Sequence, residues 1–157
     1  MIQATLCFIF RGNPHQEILL GYKKRGFGQG KYGGFGGKLQ DGETLSQAAL
    51  RELQEEAGLS ADLADLVSLG TLTFIFPYKH PWDQEVHVFV ARKWQGTPTE
   101  SDEMQPKWFD ITQIPLEQMW DDSRYWLPHI LAGERIKAVF TLNQNNETVK
   151  DYAINII

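Results

Sequence analysis

GKLQDGETLSQAALRELQEEAGL, residues Gly37 to Leu59, is the stretch from which the rest of the chain can be read. Thr44 followed three residues later by Gln47 is a capping-box signature, in which hydroxyl and amide satisfy free groups of a first helical turn. Gly58 ends the helix, since a glycine there can take the left-handed conformation that closes the last carbonyls. Between these signals Glu52, Glu55 and Glu56 stand at i, i+3 and i+4, within an arc of roughly 100°. Ala48 and Ala49 lie on that side one turn earlier, while Leu50, Leu53 and Ala57 make a separate apolar stripe suited to packing on a sheet. Three like charges so close raise one another's pKa and weaken the helix, so a cation is expected among them.

Carboxylates with no His or Cys in the pattern suit a hard divalent ion, and Mg²⁺ typically takes few protein oxygens while keeping positions for water and phosphate. Upstream, Gly33, Gly34, Gly36 and Gly37 surround Phe35, so the backbone there can approach a ligand closely and present its amides. A glutamate-rich helix is more often a solvated face, and a glycine-rich loop alone is weak. The spacing outweighs both readings. As G-x5-E-x7-R-E-U-x-E-E-x-G-U, with U aliphatic, the stretch matches at Gly37, Glu43, Arg51, Glu52, Leu53, Glu55, Glu56, Gly58 and Leu59. Seven fixed letters coincide by chance with a frequency of order 10⁻⁸ to 10⁻⁹ per starting position. The pattern resembles the Nudix box.

Around this stretch, 157 residues with 42% hydrophobic content are enough for a single domain, 1–157, with its own core. A formal net charge of −5 argues against a surface for DNA or RNA duplexes. The early apolar run from Ala4 to Phe10 is too short for a membrane span and lacks a cleavage-type sequel, so a cytoplasmic protein is expected. Cys7, the lone cysteine, cannot form an internal disulfide and reads as a small core residue. His15, His80, His87 and His129 show no metal-ligand spacing and read as structural or surface residues.

Residues 3–11 and 17–24 read as a hairpin across turn chemistry at 12–16. Lys23, Lys24 and Arg25 then enter a glycine-rich loop; phosphate neutralisation and exposed charges ending a strand are equal readings. Leu72, Phe74 and Phe76 recur at strand period, as do Val86, Val88 and Val90, and the aromatics serve either the core or a flat base. Segment 78–84 has no assignable role. Trp108-Phe109-Asp110 begins or ends a short strand, and Pro115 fits the first turn of a helix reaching Met119 and Trp120. Asp121 or Asp122 caps a further helix through Trp126 to Leu131, with Gly133 as its stop. A last hairpin joins 136–142 to 148–156. The order of elements predicts an α+β layered fold.

The segments GYKKRGFGQGKYGGFGGK, VHVFVARKWQGTPTESDEM and QMWDDSRYW extend the resemblance to the MutT-homologue branch of the Nudix hydrolases. That resemblance implies an α/β/α sandwich with a mixed central sheet, acting as a monomer on oxidised purine nucleoside triphosphates such as 8-oxo-dGTP. It implies Mg²⁺, with Mn²⁺ a substitute ion, and release of monophosphate and pyrophosphate in nucleotide-pool sanitisation. It makes Gly36, Gly37, Glu52, Glu55, Glu56 and Glu100 the metal-site candidates, with Glu52, Glu56 or Glu100 taking the proton and Arg51 pairing with Glu43. On the substrate it places Thr5, Lys23, Phe27, Gly33, Phe35, Gly36, Gly37, Lys38, Phe74, Phe76, Trp120, Asp121, Asp122 and Trp126. Two departures touch base recognition. Gly33 stands where the branch carries an Asn, and the two acids of the branch fall either on Asp121 and Asp122 or on Asp122 and Ser123. Other substrates of the same chemistry, an ordinary dNTP or an ADP-ribose type, and a noncatalytic nucleotide sensor remain as alternatives.

Overall fold

In the computed structural model, which describes residues 1–13 and 16–157, a mixed sheet forms the middle layer. In chain order the elements are β1 (Ile2–Arg11), β2 (Glu17–Lys23), β3 (Tyr32–Gly33), α1 (Leu45–Ala57), β4 (Val67–Ile75), β5 (Gln84–Ala91), β6 (Met104–Asp110), α2 (Ser123–Leu131), β7 (Ile136–Leu142) and β8 (Val149–Ile156). β1 and β2 form the expected antiparallel hairpin from Ile9 and Leu19 outward. Its expected turn includes Pro14 and His15, which lie outside the described residues. Past Leu19, β2 leaves β1 for the two-residue β3 on that edge, and β6 follows its other edge from Glu17 to Lys23. β1 pairs parallel with β5, β5 antiparallel with β4, β4 parallel with β7, and β7 antiparallel with β8.

Side-chain alternation along the strands divides the core in two. Phe8 and Phe10 of β1, Ile18 and Leu20 of β2, and Val86, Val88 and Val90 of β5 join Trp126, Leu127 and Ile130 of α2. Cys7 and Ile9, Leu19, and Phe89 and Ala91 join Ala49, Leu53 and Ala57 of α1. The helices therefore cover opposite faces, giving three layers. Burial pushes the Cys7 thiol up to about 12. Among the described residues no helix is long and apolar enough to cross a membrane.

α1 begins and ends as expected. Gln47 N–H donates to Thr44 Oγ1, Thr44 N–H donates to the Gln47 side chain, and Gly58 has φ 69°. The apolar stripe differs from expectation: Ala49 belongs to it with Leu53 and Ala57, while Leu50 is only half-buried. Spacing of four keeps these three residues against the sheet, whereas Leu50 is rotated off it. The helix expected from Pro115 is a single 3₁₀ turn, Leu116–Gln118, after which Met119 is extended. Met119 is buried in the α2-side core, and its extended backbone lets the chain turn into α2. Segment 78–84, unassigned from sequence, contains another 3₁₀ turn, His80–Trp82, pinned where Asp83 Oδ1 accepts from Phe76 N–H at 2.7 Å.

Candidate active site

The glycine-rich segment lies along β1 as an added ribbon. Phe35 N–H donates to Cys7 O at 2.9 Å, Thr5 N–H to Gly37 O at 2.9 Å, and Leu39 N–H to Gln3 O at 2.9 Å. Such close approach explains two of the glycines. A Cβ at Gly36 would collide with the Thr5 carbonyl, and one at Gly37 would come within 2.5 Å of Glu52 Oε1. The same approach aims Gly36 N–H at α1, where it donates to Glu56 Oε1 at 2.8 Å.

Arg51 organises the remaining acids. Its Nε and Nη2 donate to both oxygens of Glu43, at 3.0 and 2.7 Å, and Nη2 also reaches Lys38 O. Its Nη1 donates to Glu52 Oε1 at 2.9 Å and to Glu55 Oε2 at 3.3 Å. The guanidinium holds the Glu43 carboxyl below the usual carboxylate range. Glu56 goes the other way: burial, then the charge of Glu52, push it up to about 8, against the Gly36 N–H and Lys23, which favour its charge. Glu100, expected to reach in from its loop, pairs with Lys24 at 3.4 Å with its side chain over half exposed; the neighbouring Glu103 pairs with Lys23 and acts on Glu56 through its charge.

This donor set fits a hard divalent cation by chemistry. A buried carboxylate held protonated by burial and a like charge gains most from a positive ion, and its neighbours offer oxygen only. Among the described residues no three acidic or imidazole groups already converge on one point, because Arg51 holds Glu52 and Glu55.

A cavity of about 650 Å³ opens from Glu56, Lys23 and the 36–38 segment across the α2-side face of the sheet. That volume suits a nucleotide-sized ligand. Its apolar floor includes Leu72, Phe74, Phe76 and Val86, so these aromatics belong to the core and line the cavity as well. Phe27 stacks on Trp120 with ring centres 5.1 Å apart and meets Trp82 edge-on at 5.2 Å; Lys31 Nζ sits 4.9 Å above the Trp120 ring. Thr5 contributes a buried Oγ1 with no partner among the described residues, and a Cβ at Gly33 would meet open space.

The acidic segment resolves into two roles. Asp122 and Ser123 line the cavity and are buried; Asp121 does not line it. Asp122 occupies the cap position of α2 yet makes no capping bond, because its Oδ2 accepts from Trp126 Nε1 at 2.7 Å. Burial pushes it up to about 6. Asp121 instead accepts from Val149 N–H at 2.9 Å and pairs with Arg124. The pair facing the cavity is thus one acid and one hydroxyl.

Of the other residues expected on a substrate, Lys23, Phe27, Gly36, Gly37, Lys38, Trp120 and Trp126 line the cavity. Phe35 does not: it is fully buried in the α1-side core, packed near Gly21. Trp82, Lys31 and Asn146 line the cavity without having been singled out. Trp82 ends a single 3₁₀ turn and Asn146 lies in the turn between β7 and β8, both too short to show periodicity, and only the Pro-aromatic character of 78–84 hinted at the first.

The NUDIX domain family matches residues 2–130. The chain is 45% identical over 139 residues to a Mus musculus protein named oxidized purine nucleoside triphosphate hydrolase, covering 88% of this chain and 86% of that protein. It is 46% identical, with the same coverage, to the Danio rerio protein of that name. A solved structure of a MutT protein from Bacillus halodurans superposes with a TM-score of 0.83 over 99% of this chain and 98% of that one, at 21% identity. That last likeness speaks for the fold alone.

Proposed function

The chain belongs to the NUDIX family, and from that premise we propose that it hydrolyses purine nucleoside triphosphates, oxidised ones such as 8-oxo-dGTP included, to monophosphate and pyrophosphate with Mg²⁺. One observation carries the reading: a single cavity is lined at once by Glu56 of the acidic helix and by Trp120 and Asp122. Phosphate chemistry and base recognition can therefore act on one ligand.

In this reading Glu52, Glu55 and Glu56, with the Gly36 and Gly37 backbone, hold the cation. Mg²⁺ would neutralise the triphosphate and lower the pKa of the attacking water. Glu56 keeps one oxygen on Gly36 N–H, which fixes the other in direction. Lys23 faces the phosphates, and Arg51 positions Glu52 and Glu55 while tying Glu43 and the Lys38 carbonyl to the helix. Trp120 supplies a flat face for the purine, and Asp122, near neutrality in its burial, accepts from or donates to its edge. The protein would act as a cytoplasmic monomer that clears damaged nucleotides.

The open space at Gly33 and the hydroxyl at Ser123 favour a broader base choice than a site with two acids and a fixed amide. The test is kcat/KM at fixed Mg²⁺ for 8-oxo-dGTP, 2-hydroxy-dATP, dGTP, dATP, dCTP and ADP-ribose, with products identified. A preference of about 100-fold for an oxidised purine, roughly 2.7 kcal/mol, supports sanitisation. Equal rates on ordinary dNTPs, or ADP-ribose as best substrate, would end it while leaving the phosphorus chemistry in place.

A further inference from the structure

The asparagines of the β7–β8 turn are used unequally. Asn145 Oδ1 accepts from Glu147 N–H and Thr148 N–H, both at 3.0 Å, and from Thr148 Oγ1. Asn143 Nδ2 donates to Thr148 Oγ1 at 2.9 Å, and its backbone N–H to Thr148 O at 2.8 Å. These bonds close the turn without the Asn146 side chain. Asn146 has φ 58°, alone among the described non-glycine residues in the left-handed region. Asn146 is part of the wall of the cavity that also holds Asp122 and Ser123, while its Oδ1 is turned inward, out of contact with solvent and with no hydrogen-bond partner among the described residues.

A buried amide oxygen without a donor is unfavourable, and nothing in the turn requires it. A turn of the amide about its terminal bond would bring this oxygen to the cavity, where a ligand supplies the missing donor. The turn is also fixed relative to the site: Asp121 Oδ2 accepts from Val149 N–H, and Leu142, opposite Val149 in the ladder, lies in the cavity wall. This accounts for Asp121 facing away from the cavity: it anchors the strand that follows the turn.

We propose that Asn146 is a specificity-determining residue that hydrogen-bonds the edge of the purine base. Its Oδ1 accepts from a base N–H and its Nδ2 donates to an adjacent ring nitrogen or carbonyl oxygen. A side-chain amide carries donor and acceptor side by side, so it matches a base edge that presents both. The N7–H and O8 of an 8-oxopurine form such an edge; the N7 and O6 of guanine, two acceptors, do not. The inference rests on reading the cavity as a purine site.

Asn146→Gly removes the amide and keeps the left-handed backbone, and Asn146→Asp keeps the shape but exchanges a donor for an acceptor. In ¹⁵N-labelled protein, titration with 8-oxo-dGMP, dGMP and dCMP is followed on the side-chain amide signal that Asn146→Gly deletes, with a thermal melt of each variant as control for folding. The expected result is that 8-oxo-dGMP moves this signal, and that Asn146→Gly weakens its binding and lowers kcat/KM for 8-oxo-dGTP about 10- to 100-fold, with dCMP binding unchanged. A bound purine that leaves the signal unmoved, or a glycine variant with wild-type affinities and substrate ranking, overturns the proposal. Binding of 8-oxo-dGMP through Asn146 without turnover of any triphosphate would sink the proposed hydrolysis and leave this contact standing. Absence of binding by either purine monophosphate sinks both.

Discussion

Glu56 sits between opposing demands. Burial and the charge of Glu52 favour its neutral form, while Gly36 N–H and Lys23 favour its charge, and the balance lies at about 8. The folded, cation-free protein therefore holds a proton on Glu56 that the unfolded chain releases above 4.5, so stability falls as pH rises from 4.5 to about 8. Asp122 adds a decline of the same sign between 3.8 and about 6. In chelator, the melting temperature should drop across this range, and Glu56→Gln should flatten the part above pH 6; a wild-type melting temperature independent of pH refutes the account. The same variant should lower kcat by about 10²- to 10⁴-fold while remaining folded. The two glycines beside it separate fold from chemistry. Gly36→Ala sets a methyl group against the Thr5 carbonyl and should destabilise by more than about 3 kcal/mol in urea unfolding. Gly37→Ala meets only the flexible end of Glu52, so stability should hold while kcat falls.

At the scale of elements, α1 was the most legible part of the chain because its determinants are local. Thr44, Gln47 and Gly58 act within one turn of their own positions, and the structure has all three doing what spacing predicts. Thr44→Ala should cost about 1 kcal/mol by denaturant titration. Legibility ended where partners come from elsewhere. Ala49 rather than Leu50 is core because β1, β5 and β6 decide which edge of the stripe is covered. Asp122 was readable as a cap by position, but its carboxylate goes to Trp126, a choice made by burial. The two-residue β3 left no pattern at all, and Trp82 belongs to a 3₁₀ turn whose place depends on Asp83 and the end of β4. Trp82 closes the aromatic series from Trp120 through Phe27 to Phe76. Trp82→Ala should raise KM for purine nucleotides several-fold with kcat little changed, and an unaltered KM would remove it from the site.

For the molecule as a whole, the cavity is where segments far apart in sequence meet: β1, the 33–38 ribbon, α1, β4, β5, α2 and the β7–β8 turn. A ligand that spans it ties these segments together. A bound nucleoside monophosphate at about 100 times its Kd, with cation present, should stabilise the fold by about 2.7 kcal/mol and raise the melting temperature by about 5 to 10 °C. No shift with any nucleotide would mean the cavity is not the binding site. Gly33→Asn, placed in open space at its rim, should leave the melting temperature of the free protein within about 2 °C and change only the ranking of bases. The sheet carries one more consequence. An interior strand, β1, keeps the chain's single thiol fully buried and pushed up to about 12, far from the thiolate form that peroxide attacks. If the protein acts on oxidised nucleotides as proposed, it keeps its lone cysteine out of reach of the oxidants that make them.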